Sequence, residues 1–417
     1  MPRKEPEKQV HYSLRKEPEK QVISRCGKNR KSRSSVAAGR TGKAGHQSLR
    51  EENGEKVTQK TLRERMEEIL PFLQIKYDEP MDRHCSFHTG GRADALTFVR
   101  TEQEMAELLE LLRAEGEDFF ILGKGTNLLI GDGGYRGVIV TAVGQDRQDG
   151  TDGSRGTDES RGTDESRGTD GSRGTDGSRG TGGFHGAEAQ RKGLKSRDES
   201  PVLDEIRVQG NRIIAGAGAT LKAVALAARD HGLRGLEFAA GIPGTVGGGL
   251  VMNAGAYNGE MKQVVSSVRI LMPDGSLRVF SGEEMQFDYR TSILRKTPAI
   301  ALGAEFVLEE GDPEDIRRRI LELSALRREK QPLEYPSAGS TFKRPKGYFA
   351  GKLIMDAGLR GYSVGGAQVS EKHCGFVINR GGATSAQIRR LIEDVQARVF
   401  EESGIKLERE VIFLGEF

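Results

Sequence analysis

The first candidate for a catalytic residue is a serine in a turn of small residues. The stretch YPSAGSTFKRP, residues 335–345, places Ser340 directly after an Ala-Gly pair. A hydroxyl in such a turn could act as a nucleophile or donate a proton. The nucleophile pattern G-x-S-x-G is absent, because Gly339 precedes Ser340 and Phe342 stands at the second glycine position. No His/Asp partnership is visible around it, so these residues alone favour a turn serine that caps backbone amides.

Three glycine-rich stretches could bind an anion through their backbone. They are GKGTNLLIGDGG (123–134), GAGATL (216–221) and AAGIPGTVGGGLVMNAGAYNGEM (239–261). Glycine lets backbone amides approach closely, and successive N–H groups form a cradle for phosphate oxygens. None is a Walker loop, and the first is not a dinucleotide fingerprint, because Leu128 stands at the third glycine position. Ordinary turns use glycine too, but three such stretches on one chain indicate a ligand with a diphosphate.

The first glycine-rich stretch lies among predicted regular elements. Thr101 and Glu104 have the spacing of a capping box before an apolar period that ends at Gly116, which predicts a helix. FFILGKGTNLLIGDGG (119–134) reads as a strand followed by a glycine-rich turn, and GYRGVIVTAV (134–143) reads as the next strand.

Two hairpins and a strand are predicted further along the chain. Gly210-Asn211 and Pro273-Asp274-Gly275 have turn composition between apolar runs. AIALGAEFVL (299–308) alternates as a half-buried strand.

Two helices are predicted towards the C-terminus. Asp312-Pro313 opens the first, and Thr384 with Gln387 caps the second, which ends at Gly404. Their inward-facing residues are Ile316, Ile320 and Leu323 in the first, and Ile388, Leu391, Ile392, Val395 and Val399 in the second. Mixed strands with fewer helices predict an α+β protein of more than one domain.

Composition separates the folding sequence from two low-complexity segments. Of 417 residues, 35% are hydrophobic and 30% are charged. Residues 1–50 hold 14 Lys and Arg against 4 Asp and Glu, and the hexapeptide GTD[GE]SR runs five times from Gly150 to Arg179. We expect a disordered basic tail over 1–57 and a disordered insertion over 143–202. A nucleic-acid or membrane-surface arm is the alternative for the tail.

Cysteine, histidine and hydropathy patterns exclude several classes of protein. Cys26, Cys85 and Cys374 form neither a disulfide framework nor a zinc pattern, and the seven histidines are scattered, so no metal is expected. Neither a signal peptide nor an apolar segment of the ~20 residues that span a bilayer is visible. We expect a cytoplasmic monomer without nucleic-acid or membrane partners.

Six motifs in order carry a resemblance to a known family. They are ILGKGTNLLIGDGGYRGVIV, GLEFAAGIPGTVGGGLVMNAGAYNGEM, FDYRTSILRK, PSAGSTFKRP, AGKLIMDAGLRGYSVGGAQVSEKHCGFVIN and GIKLEREVIFLG. Together they closely resemble the UDP-N-acetylenolpyruvoylglucosamine reductases, over about residues 60–142 and 203–417. The short span between Leu308 and Ser337 is similar to the subtype that lacks an extra tyrosine-bearing loop.

The resemblance implies a fold and a reaction. The fold is α+β: a vanillyl-alcohol-oxidase-type FAD-binding fold in two lobes, 58–142 and 203–310, followed by a C-terminal α/β substrate domain over 311–417. The implied reaction is reduction of UDP-N-acetylglucosamine enolpyruvate to UDP-N-acetylmuramate in peptidoglycan synthesis. NADPH supplies the hydride through FAD, and a protein acid supplies the proton.

The resemblance also implies site residues. Ser340 would be the proton donor, with Arg290 and Glu410 at the carboxylate end of the substrate, whose developing negative charge needs a cation or positioned donors. Tyr289 and Lys343 would contact substrate. The implied cofactor-binding residues are Gly123, Lys124, Gly125, Thr126, Asn127, Gly241, Pro243, Gly244, Gly247, Asn253, Ala254 and Gly255.

Without the resemblance these residues have ordinary interpretations. Arg290 would be a surface residue that forms an ion pair, and Tyr289 would be an ordinary residue of a strand. Glu410 would belong to the solvated face of a charged run, with Glu408 as a rival two residues away.

The chain departs from the family pattern at two places. Arg344 follows STFK where many relatives have Asn, so an amide contact to substrate is not carried over to that position. Cys374-Gly375 stands where others have Ala-Asn, and no catalytic role is assigned to this cysteine.

Two rival functions remain open at this point. An oxidase of the wider flavin family would consume oxygen with a reduced alcohol or sugar and would not need NADPH. A scaffold or anion-binding protein would purify colourless and could not be loaded with FAD.

Overall fold

The computed structural model describes residues 61–142 and 200–417. The predicted tail and most of the predicted insertion lie outside these described residues. The helices are α1 (Leu62–Ile69), α2 (Glu102–Glu115), α3 (Leu221–Asp230), α4 (Val246–Val251), α5 (Pro313–Lys330), α6 (Ala350–Asp356) and α7 (Ser385–Ser403).

The strands alternate with these helices in small groups. They are β1 (Gln74–Pro80), β2 (Arg92–Phe98), β3 (Phe119–Leu122), β4 (Leu128–Ile130), β5 (Tyr135–Thr141), β6 (Ile206–Gln209), β7 (Arg212–Gly216), β8 (Leu233–Arg234), β9 (Gly255–Ala256), β10 (Gly259–Glu260), β11 (Val265–Leu271), β12 (Leu277–Ser281), β13 (Ile300–Val307), β14 (Glu309–Glu310), β15 (Ser337–Ser340), β16 (Ser363–Val364), β17 (Ala367–Val369), β18 (Phe376–Asn379) and β19 (Ile412–Leu414).

Local signals account for the ends of the predicted helices. Asp312 and Thr384 are the N-caps of α5 and α7, and Gly404 ends α7 in the left-handed conformation. Thr101 caps α2 as predicted, but its capping box is incomplete: the Glu104 carboxylate accepts from the Arg100 amide at 2.6 Å instead of from the cap residue.

Three larger sheets organise the described residues. The first has the order β1-β2-β5-β3, with β2, β5 and β3 parallel. The second is antiparallel with the order β12-β11-β13-β7-β6, and its outer hairpins turn at the predicted 210–211 and 273–275. The third, antiparallel with the order β15-β18-β17-β16, carries α7.

The prediction of a half-buried β13 is wrong. Every residue from Ile300 to Phe306 is buried, and only Val307 is exposed. Ile300 and Leu302 pack in a cluster with α2 and the first sheet, whereas Ala304 and Phe306 pack in the cluster of α3 and α4. Both faces of this strand are therefore covered, since it lies between two cores.

A third cluster of buried hydrophobic residues, besides the two that contact β13, joins distant parts of the chain. It contains Leu129 and Ile130 of β4 together with Ile388 and Val395 of α7. Beside it, β4 and β19 form a parallel pair that brings the first glycine loop to the C-terminal segment. The predicted domain boundaries remain predictions. None of the helices in residues 61–142 and 200–417 is long and apolar enough to cross a membrane.

Candidate active site

The loop Gly123–Asn127 joins β3 to β4 and is tightly backed. Gly125 has φ +65°, and a Cβ atom placed on it would lie 2.0 Å from the carbonyl oxygen of His84. A Cβ on Gly123 would lie 2.8 Å from Oγ1 of Thr245. Only glycine fits at these contacts, so the backbone of the loop packs directly against His84 and Thr245.

The third glycine-rich stretch (239–261) meets this loop, and it is also bonded to the second stretch (216–221). The Thr126 hydroxyl donates to the carbonyl of Pro243. Gly244 accepts from the Leu221 amide at 3.0 Å, and the amide of Gly247 donates to the Ala217 carbonyl at 2.8 Å. The two loops therefore converge through direct contacts.

Asn253 and its neighbours hold the C-terminal part of the third glycine-rich stretch. Asn253 is fully buried with φ +45°, and its side chain donates to Glu260 Oε2 at 3.0 Å and to the Asp288 carbonyl at 3.2 Å. The amide of Ala254 donates to the Gly249 carbonyl at 2.9 Å. The side chain of Asn253 is thus engaged within the protein, and it shapes the loop from inside.

The residues present fit FAD. The cradle around Gly125 leaves no room for a Cβ, and the exposed side chain of Lys124 puts a positive charge on the same loop. Behind the loop, the amide of Ser86 donates to the Gly125 carbonyl at 3.1 Å, while its buried Oγ has no hydrogen-bond partner in the described part of the chain. Gly241 lies at the side, where a Cβ would be 3.5 Å from the Arg327 side chain.

Arg290 and Glu410 form a partly buried ion pair. Nε of Arg290 lies 2.8 Å from Oε1 of Glu410, and Nη2 donates to the Gly255 carbonyl at 3.1 Å. Arg290 has φ +56° in a two-residue turn closed by Asp288 and Thr291, whose backbones exchange two hydrogen bonds of 3.1 Å. A non-glycine residue held at positive φ is uncommon and recurs at functional sites.

The electrostatics of Glu410 are set by opposing effects. Burial raises the pKa of the carboxyl above its ordinary value, while the charges of Arg290, Lys343 and Arg295 act to lower it. The burial effect is the largest. The carboxyl therefore keeps its proton to a higher pH than a carboxyl in water.

Ser340 lies at the exposed end of β15, after Gly339 with φ +73°. Its backbone is paired with Phe376 of β18, and among the described residues its hydroxyl makes no hydrogen bond. The carbonyl of the next residue, Thr341, accepts from the Glu410 amide at 2.9 Å. Ser340, Glu410 and Arg290, far apart in sequence, are consequently neighbours in the fold.

The predicted substrate residues flank this group. The Tyr289 hydroxyl accepts from the Arg344 amide at 3.0 Å, and the Arg290 guanidinium lies 5.3 Å from the Tyr289 ring centroid. Lys343 pairs with Glu408. Glu408 is 69% exposed and Glu410 is 9% exposed, so Glu410, and not its rival, is the buried carboxyl at the arginine.

The structure also assigns contacts to residues that sequence reasoning missed. Thr245 caps α4 and lies against Gly123, as the G-T-V-G-G spacing of a helix N-cap could have indicated. Thr341 anchors Glu410 through its carbonyl, and its hydroxyl accepts from the Val377 amide at 3.0 Å. No sequence signal marks these last contacts, because they join segments far apart in the chain.

The thiols of the two described cysteines make no contact with the pair of Arg290 and Glu410. Cys85 and Cys374 are buried free thiols, and the thiol of Cys85 donates to the Thr89 carbonyl at 3.2 Å. Burial raises the pKa of the Cys85 thiol. Across 61–142 and 200–417, no group of three or more His, Cys, Asp or Glu side chains could hold a metal ion. Cys26 lies outside the described residues.

Comparison with known proteins identifies similar families and structures. The family model of the UDP-N-acetylenolpyruvoylglucosamine reductase C-terminal domain matches residues 331–414, and that of an FAD binding domain matches residues 198–281. The chain is similar to the crystal structure of UDP-N-acetylenolpyruvylglucosamine reductase from Thermus caldophilus, with a TM-score of 0.57 and 27% identity over 82% of this chain and 98% of that one. The predicted FAD-binding fold with a C-terminal substrate domain is confirmed.

Two curated relatives, both named UDP-N-acetylenolpyruvoylglucosamine reductase, extend the similarity over nearly their full lengths. The relative from Caldanaerobacter subterraneus subsp. tengcongensis is 43% identical over 353 residues, which are 85% of this chain and 98% of the relative. The relative from Clostridioides difficile is 40% identical over 348 residues, 84% of this chain and 96% of the relative. The chain belongs to the UDP-N-acetylenolpyruvoylglucosamine reductase family.

Proposed function

We propose that the protein is an FAD-dependent oxidoreductase that reduces UDP-N-acetylglucosamine enolpyruvate to UDP-N-acetylmuramate with NADPH, in peptidoglycan synthesis. The observation that carries the proposal is the junction at Glu410. Its carboxylate pairs with Arg290, and its amide donates to the residue after Ser340. These contacts gather a cation, a carboxyl of raised pKa and an exposed hydroxyl beside two loops that fit FAD.

The chemistry that FAD supplies when bound is the relay of a hydride from NADPH to the enolpyruvyl double bond. The backbone of Gly123–Asn127 would hold the diphosphate of the cofactor, together with the backbone around Gly244, which lies next to it. The side chains of Thr126 and Asn127 form hydrogen bonds with carbonyl groups of the protein. These residues contribute to binding through loop shape.

Arg290 and Glu410 act on the charge that develops in the substrate. Hydride addition leaves an enolate-like carboxylate, and a fixed guanidinium lowers the energy of that charge because it needs no reorganisation. Arg290 is held at two points, by the carboxylate of Glu410 and by the carbonyl of Gly255. Glu410 acts here by holding the guanidinium of Arg290 in place at the carboxylate end of the substrate.

Ser340 completes the reduction by donating its proton to the carbon next to the one that receives the hydride. A serine is a weak acid, but a carbanion-like carbon is a strong base, so placement suffices. The small Gly339 before it and the exposure of its side chain support an approach from the solvent side. The resulting alkoxide recovers a proton from water, and the atoms balance as one hydride and one proton added across the double bond.

The experiment is a stopped-flow measurement of flavin absorbance in the two half-reactions. Ser340→Ala should bind FAD and be reduced by NADPH at close to the wild-type rate, because no substrate proton moves in that step. Reoxidation by the enolpyruvyl substrate should slow by about 10²–10⁴-fold, the range for losing a general acid. Ser340→Cys, which keeps a donor, should retain more activity than Ser340→Ala.

Ser337→Ala provides the matched control, since Ser337 lies on the same strand three residues earlier. It should behave like wild type in both steps. Equal slowing of reduction and reoxidation in Ser340→Ala would show that Ser340 is a structural turn residue and would contradict its role as the proton donor.

We further propose that the protein works as a cytoplasmic monomer. Nucleotide-linked substrate and NADPH are both intracellular metabolites in this proposal, and the buried free thiols of Cys85 and Cys374 suit a reducing compartment. Light scattering coupled to size exclusion tests the oligomeric state, and a mass of twice 45.6 kDa would contradict a monomer.

A further inference from the structure

Asn127 occupies the junction between the glycine loop and β4. Its Nδ2 donates to the backbone carbonyl of Glu410 at 3.2 Å, and its own carbonyl accepts from the Ile412 amide at 3.0 Å. The two bonds hold the backbone of Glu410 and Ile412 at the point where β19 begins to run parallel to β4, with Ile412 opposite Leu128. The side chain of Asn127 is therefore directed at the catalytic segment.

Glu410 is held by three separate parts of the molecule. Its amide donates to Thr341, next to Ser340; its carboxylate pairs with Arg290 at 2.8 Å; and its carbonyl accepts from Asn127. Of these anchors only the amide of Asn127 comes from the loop that fits the cofactor diphosphate. The Asn127 side chain thus ties this loop to the backbone of Glu410 itself, in addition to the backbone bond to Ile412 and the pairing of β4 with β19.

We infer that Asn127 is a positioning residue that sets the Glu410 carboxyl relative to the bound flavin, so that the half-reaction with the enolpyruvyl substrate depends on it. The inference rests on the proposed function, in which Glu410 acts at the carboxylate end of that substrate. NADPH reduction of the flavin moves no proton onto the substrate and needs no such placement.

The chemistry of the bond tells which substitutions are informative. Asn127→Asp keeps the size but replaces an N–H donor with an acceptor that faces the Glu410 carbonyl oxygen, so the contact becomes repulsive. Asn127→Ala removes the contact without repulsion. Both leave the backbone bond to Ile412 in place, and a misplacement of about 1 Å in a catalytic group is able to reduce a rate by about 100-fold.

The test compares the two half-reactions and the affinity for FAD. In both variants reoxidation by the enolpyruvyl substrate should slow by about 10–100-fold. The dissociation constant of FAD, from flavin fluorescence titration, and the rate of reduction by NADPH should stay within about threefold of wild type. Steady-state kcat should fall while kcat/KM for NADPH is unchanged, which a general loosening of the fold would not produce.

Asn211→Asp is the matched control. Asn211 donates the same kind of amide-to-carbonyl bond, to Leu308 at 3.3 Å, in a turn remote from the site. It should change neither half-reaction. Loss of FAD from the Asn127 variants, or equal slowing of both half-reactions, would overturn the inference and make Asn127 a cofactor-retention residue.

Glu410→Gln separates failure of the inference from failure of the proposed function. Wild-type reoxidation in Glu410→Gln would overturn the role of Glu410, and the inference with it. Slow reoxidation in Glu410→Gln together with wild-type reoxidation in both Asn127 variants would overturn the inference alone.

Discussion

Gly125 gives the sharpest test of the cofactor site, because the chain contains a glycine that matches it in conformation but not in surroundings. Gly125 and Gly210 have φ +65° and +59°. A Cβ on Gly125 would lie 2.0 Å from the carbonyl oxygen of His84, whereas a Cβ on Gly210 would meet nothing within 4 Å. Comparing alanine at the two positions isolates the effect of the close contact from that of backbone strain.

The strain is common to both substitutions. A non-glycine residue in the left-handed region costs roughly 1–2 kcal/mol, and alanine in the hairpin turn at Gly210 should lose only this from the free energy of unfolding. Gly125→Ala must in addition separate Cβ and the His84 oxygen by about 1 Å, from 2.0 Å to the 3.0 Å below which real contacts essentially never occur.

The loop, and not His84, should give way. His84 has a side chain only 4% exposed, and its Nε2 lies 2.8 Å from Oε1 of Glu79. A loop shift of about 1 Å would break one or two amide contacts to the diphosphate, each worth about 1.5–3 kcal/mol when the partner is charged. Since about 1.4 kcal/mol is tenfold in affinity, Gly125→Ala should bind FAD at least about 10-fold, and typically about 100-fold, more weakly.

The assay is titration of apoprotein with FAD, followed by quenching of flavin fluorescence, with urea unfolding of the apoprotein measured in parallel. Gly210→Ala should bind FAD within about threefold of wild type and show only the strain in its unfolding free energy. FAD affinity within threefold of wild type in Gly125→Ala would refute the reasoning and move the cofactor away from this loop.

Two further predictions concern the insertion and Glu410. Replacing Gly150–Arg179 with a short Gly/Ser linker should leave flavin content and turnover nearly unchanged. The carbonyl oxygens of Ala142 and Leu203 both lie within 3.0 Å of the Cβ position of Gly218, so the residues on either side of the insertion are already close together. A tenfold loss of turnover would contradict this. The folded pKa of Glu410 is raised, so its contribution to stability is present below its unfolded pKa of about 4.3 and is lost as pH rises through the folded value. Urea unfolding should therefore show the wild type losing stability relative to Glu410→Gln as pH rises, and a pH-independent difference would contradict the raised pKa.

Much of the local structure is determined by short stretches of sequence. The capped helices after Thr101, Asp312 and Thr384 form where their side chains satisfy the first free backbone amides, and the hairpin at 210–211 forms because Gly210 adopts positive φ without strain. Such signals act over a few residues, so they are readable without knowledge of the fold. The ordered motifs likewise identified the family, which the identity of the relatives confirms.

Only the tertiary structure determines which contacts the side chains of these segments make. The side chains of Thr126 and Asn127 bind protein carbonyls, at Pro243 and Glu410, and no signal in the sequence marks these contacts. The alternation in β13 indicated one buried face, but a strand in the middle of a sheet with a core on each side has both faces covered.

The same limit applies to the site itself. Arg290 and Glu410 lie 120 residues apart, and without the family resemblance the sequence could not choose between Glu410 and Glu408. The choice follows from the parallel pairing of β4 with β19 and from the bond between Thr341 and Glu410, which turn one carboxyl inward and leave the other in solvent. Such contacts depend on packing between distant segments, and local sequence determines only the segments.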